Sequence, residues 1–319
     1  MNYTGEREKI AMKDAFAATL EELMQNDENV VYFDADLMNS MGTLKLTKQF
    51  PARAIDCGVQ EANMIGVAAG ISALGFKPVA HTFGPFASRR CFDQAFMSGA
   101  YAKNSVVIVG SDAGVTAAYN GGTHMPFEDV AMYRAMPESA IFDMVDSTML
   151  KEVLKFAVER RGVTYIRTPR KNCVGVYAPG SAFEMGKANV LKDGADVAII
   201  ACGIMVPIAL DAAKRLKEQG VDAAVIDVVS IKPLDTATVA EYAEKCGAVV
   251  TAENVNINGS MGAAVCEALA AIKPVPVLRV GVEDKFGEVG DEEYLKKRFG
   301  LTPENIIEKA LAAMKLKGK

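Results

Sequence analysis

Short apolar runs typical of buried strands alternate with helical stretches along almost the whole chain. Val30 to Phe33 and Val106 to Val109 are two such runs, and the alternation resumes after a Pro- and Gly-containing stretch at 168–186. Strands separated by helices favour a largely parallel sheet with helices on both faces. The sequence therefore predicts an α/β protein built from two doubly wound domains, over residues 1–178 and 179–319.

The first half contains the segments that matter most for a site. Lys77 to Phe83 is predicted as a strand, and a Gly- and Ala-rich helix is predicted after Glu61. A single helix is predicted from Arg89 to Ala102. Ligands of open parallel sheets bind beyond the carboxyl ends of the strands, so the loops at those ends are the places to look for chemistry.

Bulk composition excludes several classes of protein. The chain of 319 residues has 35 Lys and Arg against 40 Asp and Glu, which gives a formal net charge of −5 and no basic footprint for nucleic acid or anionic membrane. Its six cysteines are scattered without a CxxC pair, so neither a zinc site nor a disulfide framework is expected. No signal peptide and no apolar run of about 18 residues is visible. We expect a cytoplasmic protein.

Three segments of the first half, taken in order, resemble the pyrimidine-binding domain of transketolase-like enzymes. They are the helix start at Glu61, the run from Phe83 to Phe86, and the Gly-rich loop 120–126, which contains His124. The second half resembles the transketolase C-terminal domain through segments 229–235, 251–253 and 284–290. Taken alone, each residue has an ordinary explanation, such as helix-dipole complementation for Glu61 and core packing for the two Phe residues.

The resemblance implies a role for each residue around the cofactor thiamine diphosphate. Glu61 matches the catalytic glutamate that hydrogen-bonds N1′ of the aminopyrimidine and promotes its imino tautomer. Phe83 and Phe86 match the aromatic residues that pack on the pyrimidine ring. Asp36 matches an acid close to the cofactor. His124 matches a histidine that contacts substrate hydroxyls near the reacting carbon, so we count it with Glu61 as catalytic.

The resemblance also implies a binding site for the sugar phosphate. Ser40, in the loop that follows the first strand, matches a serine that helps to bind this group. Arg167, at the end of the last strand of the first domain, matches a phosphate-binding arginine, and a guanidinium fork suits an oxyanion.

Three positions depart from the family pattern. Asn120 stands where many transketolases carry an Asp that contacts the substrate C2 hydroxyl, and Asp112 stands where some carry a His of the phosphate site. Arg89 occupies a position often held by Tyr beside the pyrimidine. We assign Asp112 and Asn120 to substrate binding and Arg89 to cofactor binding. Because the charge around the site is altered, an unusual phosphorylated or sulfonated sugar is an alternative to xylulose 5-phosphate.

One expected motif is missing from the chain. Enzymes of this kind hold the diphosphate through a metal ion bound by a Gly-Asp-Gly run and a downstream Asn, and the sequence contains no Gly-Asp-Gly. No metal ligand is therefore expected here. We expect a separate N-terminal transketolase subunit to supply the diphosphate-binding domain with its Mg²⁺ or Ca²⁺, in an α2β2 heterotetramer.

These inferences predict the C-terminal, or β, subunit of a transketolase that moves a two-carbon ketol unit between sugar phosphates. The alternatives are the β subunit of a 2-oxoacid dehydrogenase, a deoxyxylulose-phosphate synthase-like subunit, and a non-catalytic partner that has kept the fold. The loop around His124 and the spacing of Phe83 and Phe86 favour transketolase.

Overall fold

Two β-sheets with helices packed against them form the fold of the computed structural model, which describes residues 3–317. The strands are β1 Val30–Asp34, β2 Ala54–Asp56, β3 Lys77–Phe83, β4 Val106–Ser111, β5 Ala140–Asp143, β6 Val163–Thr168, β7 Asn189–Lys192, β8 Val197–Ala201, β9 Ala223–Asp227, β10 Ser230–Lys232, β11 Val249–Asn256 and β12 Val277–Val282. The α-helices are α1 Met12–Asn26, α2 Met38–Met41, α3 Leu46–Gln49, α4 Glu61–Ser72, α5 Gly84–Ser88, α6 Phe92–Gln94, α7 Asp129–Ala135, α8 Ser147–Ala157, α9 Met205–Glu218, α10 Thr236–Cys246, α11 Met261–Ile272, α12 Glu292–Arg298 and α13 Pro303–Met314.

The first sheet has the strand order β10-β5-β6-β4-β3-β1-β2, and only β10 runs antiparallel to its neighbour. Strand β1 shows why the sequence folds this way. Val30 and Tyr32 pack into one apolar cluster and Val31 and Phe33 into another, because successive side chains point to opposite faces. Both faces of the strand are therefore buried, as expected for a parallel sheet covered on both sides.

The second sheet has the order β12-β11-β8-β9-β7, with β7 antiparallel at one edge. The α/β class and the two parallel-dominated sheets agree with the sequence prediction. Strand β10 follows β9 in the chain but pairs with β5 of the first sheet. The predicted division at residue 178 stays a prediction, because β10 lies in the second half of the sequence but belongs to the first sheet.

The helix predicted from Arg89 to Ala102 is observed only from Phe92 to Tyr101, and most of it is a π-helix. Helix α5 begins directly after β3, with Pro85 in its first turn, where a missing N–H is tolerated. It ends at Ser88, the short α6 follows, and Ala95–Tyr101 forms a π-helix. The break leaves Arg89 and Arg90 on a turn next to the carboxyl end of β3.

Candidate functional site

The loops that follow β1, β3 and β4 meet at one edge of the first sheet, and a buried histidine ties them together. The His81 Nδ1 atom lies 2.7 Å from the Asp34 Oδ2 atom, and its Nε2 atom lies 2.9 Å from the Ser111 Oγ atom. The Tyr32 hydroxyl donates to the same Asp34 oxygen at 2.6 Å. Because His81 is fully buried, it positions these strand ends and is not available to a ligand.

Glu61 is the first residue of α4, and its side chain is only 5% exposed. Arg90 Nη1 donates a hydrogen bond to the Glu61 Oε1 atom at 2.8 Å. A carboxylate fixed at a helix start is held in one place, which suits proton sharing with a ring nitrogen.

Three aromatic rings lie together beside this edge. The centroids of Phe83 and Phe86 are 6.2 Å apart, and the His124 ring packs edge-on at 5.8 Å from Phe83 and 5.2 Å from Phe86. The His124 Nδ1 atom also lies 2.8 Å from the Thr123 hydroxyl. The structure thus brings together three residues that the sequence assigned to one site.

A cleft of about 650 Å³ opens next to Phe86. Both halves of the chain line it, since Phe286 and Val289 of the second half lie on one side. The two backbones meet there closely: a Cβ atom on Gly122 would lie 2.1 Å from the Gly287 carbonyl oxygen. The cleft therefore has an aromatic floor and a wall from the second domain.

The two arginines of the turn after α5 have different partners. Arg89 pairs with Glu128 at 3.1 Å and donates to the Thr123 carbonyl at 3.4 Å, which places it on the rim of the cleft. The Arg90 guanidinium lies 3.9 Å from the centroid of the Phe86 ring. Sequence reasoning singled out Arg89 and missed Arg90, because the break after Ser88 that orients both side chains leaves no clear signal in the sequence.

Asp112 lies beneath Arg170 and Asn120 at the end of β4. The Arg170 Nε atom donates to Asp112 Oδ1 at 2.7 Å, and the Asn120 amide donates to Asp112 Oδ2 at 3.3 Å. Burial raises the pKa of Asp112, although Arg170 acts in the opposite direction. The Arg170 guanidinium lies 4.9 Å from the centroid of Phe83, so this polar group adjoins the aromatic cluster.

The structure contradicts the assignment of Arg167 to a phosphate site. Its side chain has no exposed surface and forms ion pairs at 2.7 Å with both Asp129 and Asp143. It also donates to the carbonyl oxygens of Pro126 and Asn254. Because β6 continues to Thr168, Arg167 is a strand residue directed into the interior, and a substrate cannot reach it.

Arg170 is the arginine that reaches the site. It follows Pro169, beyond the end of β6, and its side chain is 24% exposed. The sequence contains a signal for this position. Pro169 lacks the backbone N–H that a sheet needs for pairing, so it marks the end of the strand before Arg170. Both arginines belong to one short basic run, and only the end of the strand distinguishes them.

Asp36 lies in the loop after β1, and Ser40 lies in the short helix α2 that follows, at the same edge of the sheet. Asp36 is exposed, has a φ angle of 65° and donates its backbone N–H to the Asp56 Oδ1 atom at 3.0 Å. Within residues 3–317, no hydrogen bond or ion pair joins Asp36 or Ser40 to the aromatic cluster. Their roles stay predictions.

Between residues 3 and 317, no group of three or more His, Cys, Asp or Glu side chains is arranged to hold a metal ion. No helix within this part of the chain has the length and apolar character needed to cross a membrane.

Comparison with known proteins identifies the family. Residues 8–174 match the model of the transketolase pyrimidine-binding domain, and residues 186–306 match that of the transketolase C-terminal domain. The chain is 46% identical to the 6-deoxy-6-sulfo-D-fructose transketolase subunit SqwH of a Clostridium species, over 94% of this chain and 93% of that protein. It is 33% identical to a subunit of the apulose-4-phosphate transketolase of Phocaeicola vulgatus, over 96% of this chain and 98% of that protein.

A solved structure leads to the same family. A split-gene transketolase described as an inactive β4 tetramer superimposes with a TM-score of 0.89 at 39% identity, over 97% of this chain and 100% of that chain. The chain therefore belongs to the transketolase family and carries its pyrimidine-binding and C-terminal domains.

Proposed function

We propose that this chain is the β subunit of a thiamine-diphosphate-dependent transketolase, which moves a two-carbon ketol unit between sugar phosphates or related acidic sugars. The observation that carries the proposal is the position of Glu61 next to Phe86. Arg90 spans the two, 2.8 Å from the carboxylate and 3.9 Å from the ring centroid. A nearly buried carboxylate beside an aromatic face suits a planar ring with a basic nitrogen at its edge.

The residues present fit the aminopyrimidine half of the cofactor. Phe86 and Phe83 would pack against its ring, and Glu61 would hydrogen-bond N1′ and hold a proton there. Thiamine diphosphate, when bound, supplies the carbanion chemistry that breaks and forms the carbon–carbon bond. His124 packs edge-on to the Phe86 ring, so it would donate to or accept from substrate hydroxyls above the cofactor.

The diphosphate half of the cofactor needs other residues. The sequence has no Gly-Asp-Gly run, and diphosphate is normally bound through a divalent ion held by oxygen ligands. Two of the similar proteins are described as subunits and a third as the product of a split gene. We therefore propose a separate N-terminal subunit that carries Mg²⁺ or Ca²⁺, in an α2β2 heterotetramer located in the cytoplasm.

A partner-dependent assay tests this function. The chain is measured alone and mixed with the product of a neighbouring gene that encodes a Gly-Asp-Gly protein, with thiamine diphosphate, Mg²⁺, an aldehyde acceptor, and either phosphorylated and sulfonated ketoses or 2-oxoacids. We expect ketol transfer in the mixture and none with the chain alone. Decarboxylation of a 2-oxoacid without ketol transfer would overturn the proposal and place the protein with the dehydrogenase β subunits.

A further inference from the structure

Carboxylates compensate the positive charge in the cleft and in the polar group of Asp112, Asn120 and Arg170 beside it. Three arginines lie there, and each forms an ion pair with one carboxylate. The pairs are Arg89 with Glu128 at 3.1 Å, Arg90 with Glu61 at 2.8 Å and Arg170 with Asp112 at 2.7 Å. An acidic sugar that enters this half of the site therefore meets arginines whose charge is already balanced.

The pair of Arg170 and Asp112 is the one placed to receive the acidic end of a sugar. Arg170 uses its Nε–H for Asp112, and within residues 3–317 its two terminal nitrogens have no hydrogen-bond partner. They are the donors that remain for an anion. Asp112 is 2% exposed whereas Arg170 is 24% exposed, and the two are 2.7 Å apart, so the charge of Asp112 acts on an anion that binds the guanidinium.

We propose that Asp112 selects sugars whose acidic end carries one negative charge, such as a sulfonate, over those that carry a dianionic phosphate. The inference rests on the proposed function and names the substrate class of the same site. A phosphate monoester carries about −1.5 to −2 charges at neutral pH, whereas a sulfonate carries one. The two groups are otherwise similar tetrahedral oxyanions.

A Coulomb estimate shows that the effect is large enough to measure. One additional unit charge about 6 Å from a carboxylate weakens binding roughly 100-fold at an effective dielectric constant of about 20. Screening by salt reduces this, so about tenfold is the expected discrimination. His81 and His124 also face Asp112, and protonation of either would oppose the effect. The assay is run at pH 8, where phosphate monoesters are dianions.

The test compares 6-deoxy-6-sulfofructose with fructose 6-phosphate as ketol donors for the reconstituted complex, with an uncharged aldehyde as acceptor. We expect the wild-type complex to favour the sulfonate at least about tenfold in kcat/KM. Asp112→Asn should lower KM for both donors, and by about tenfold more for the phosphate than for the sulfonate, because the phosphate carries one more charge. Asp112→Glu, which keeps the charge, should keep the preference.

Two further variants make the result specific. Glu267→Gln removes a carboxylate from an arginine pair outside the cleft, Arg134 with Glu267 at 2.7 Å, and should leave both KM values unchanged. If Asp112→Asn does not fold, Asp112→Ser gives the same comparison with a smaller uncharged side chain.

Each outcome has a definite meaning. A wild-type preference for the phosphate donor, or an equal ratio in the wild type and the neutral variants, would overturn the role of Asp112 while ketol transfer itself persists. Absence of ketol transfer from every sugar donor would instead overturn the proposed function, and this inference with it.

Discussion

Arg90 donates a hydrogen bond to Glu61 at 2.8 Å while its guanidinium lies 3.9 Å from the centroid of the Phe86 ring. A planar group that stacks on Phe86 and hydrogen-bonds Glu61 makes the two contacts that we propose for the aminopyrimidine of the cofactor. Under the proposed function, Arg90 occupies the place of that ring and has to move before the cofactor binds.

Replacing Arg90 should therefore tighten cofactor binding. Displacing its side chain breaks an ion pair to a half-exposed arginine and a cation–π interaction, together about 1 kcal/mol, or roughly fivefold in Kd. Isothermal titration of the reconstituted complex with thiamine diphosphate measures this for Arg90→Ala. Arg215→Ala, which breaks an exposed pair with Glu304, is the control and should not change Kd. An unchanged or weaker affinity in Arg90→Ala would contradict the displacement.

Glu61→Gln should abolish turnover and leave the fold intact. The amide cannot exchange a proton with N1′, and loss of an acid–base group typically costs about 10²–10⁴-fold in rate. The variant keeps the shape of the side chain, so the melting temperature of the complex should stay close to that of the wild type. Turnover within about threefold of the wild type would remove Glu61 from the proton transfer.

Arg170→Ala should act mainly on the binding of acidic sugars. The guanidinium is partly exposed beside Phe83, and its terminal nitrogens are the donors that we assign to the acidic end of the substrate. We expect KM to rise about tenfold or more for phosphorylated and sulfonated donors, with a smaller change in kcat. An uncharged ketose such as fructose serves as the comparison, and an equal rise in its KM would show that Arg170 does not contact the acidic group.

Arg167→Ala should destabilise the protein instead. It leaves Asp129 and Asp143 buried next to each other without their cation, and removal of one partner of a buried ion pair typically costs about 3–5 kcal/mol. Urea unfolding should show the loss. A variant of normal stability with a selectively raised KM would restore the original assignment of Arg167 to the phosphate site.

Two buried carboxyls of the second domain should make stability fall as pH rises. Burial raises the pKa of Glu253 to about 8 and that of Asp227 to about 7. Both values lie above those of the unfolded chain, so the folded protein binds more protons between about pH 4.5 and pH 8, and stability decreases across this window. Glu253→Gln should flatten the decrease between pH 5 and pH 8.5 by about 2–4 kcal/mol. Urea titrations at several pH values measure it, and identical slopes in both proteins would refute the raised pKa.

The architecture could be predicted from the sequence because apolar runs mark buried strands directly. Lys77 to Phe83 was predicted with the observed bounds, and the residues of the aromatic cluster lie together as expected. The errors arose where tertiary packing decides. The crossing of β10 to the first sheet depends on contacts between distant parts of the chain. The choice between Arg167 and Arg170 depended on where a strand ends, because β6 continues to Thr168.

The pairing of β10 with β5 has a consequence for dividing the chain. A truncated protein that ended at residue 178 would lack Ser230–Lys232 and would present an open strand edge, with its unpaired backbone groups, to other molecules. Such edges recruit strands from neighbouring chains and promote aggregation. The two halves of this chain are therefore coupled through β10, and a cut at residue 178 would leave the first sheet without one of its strands.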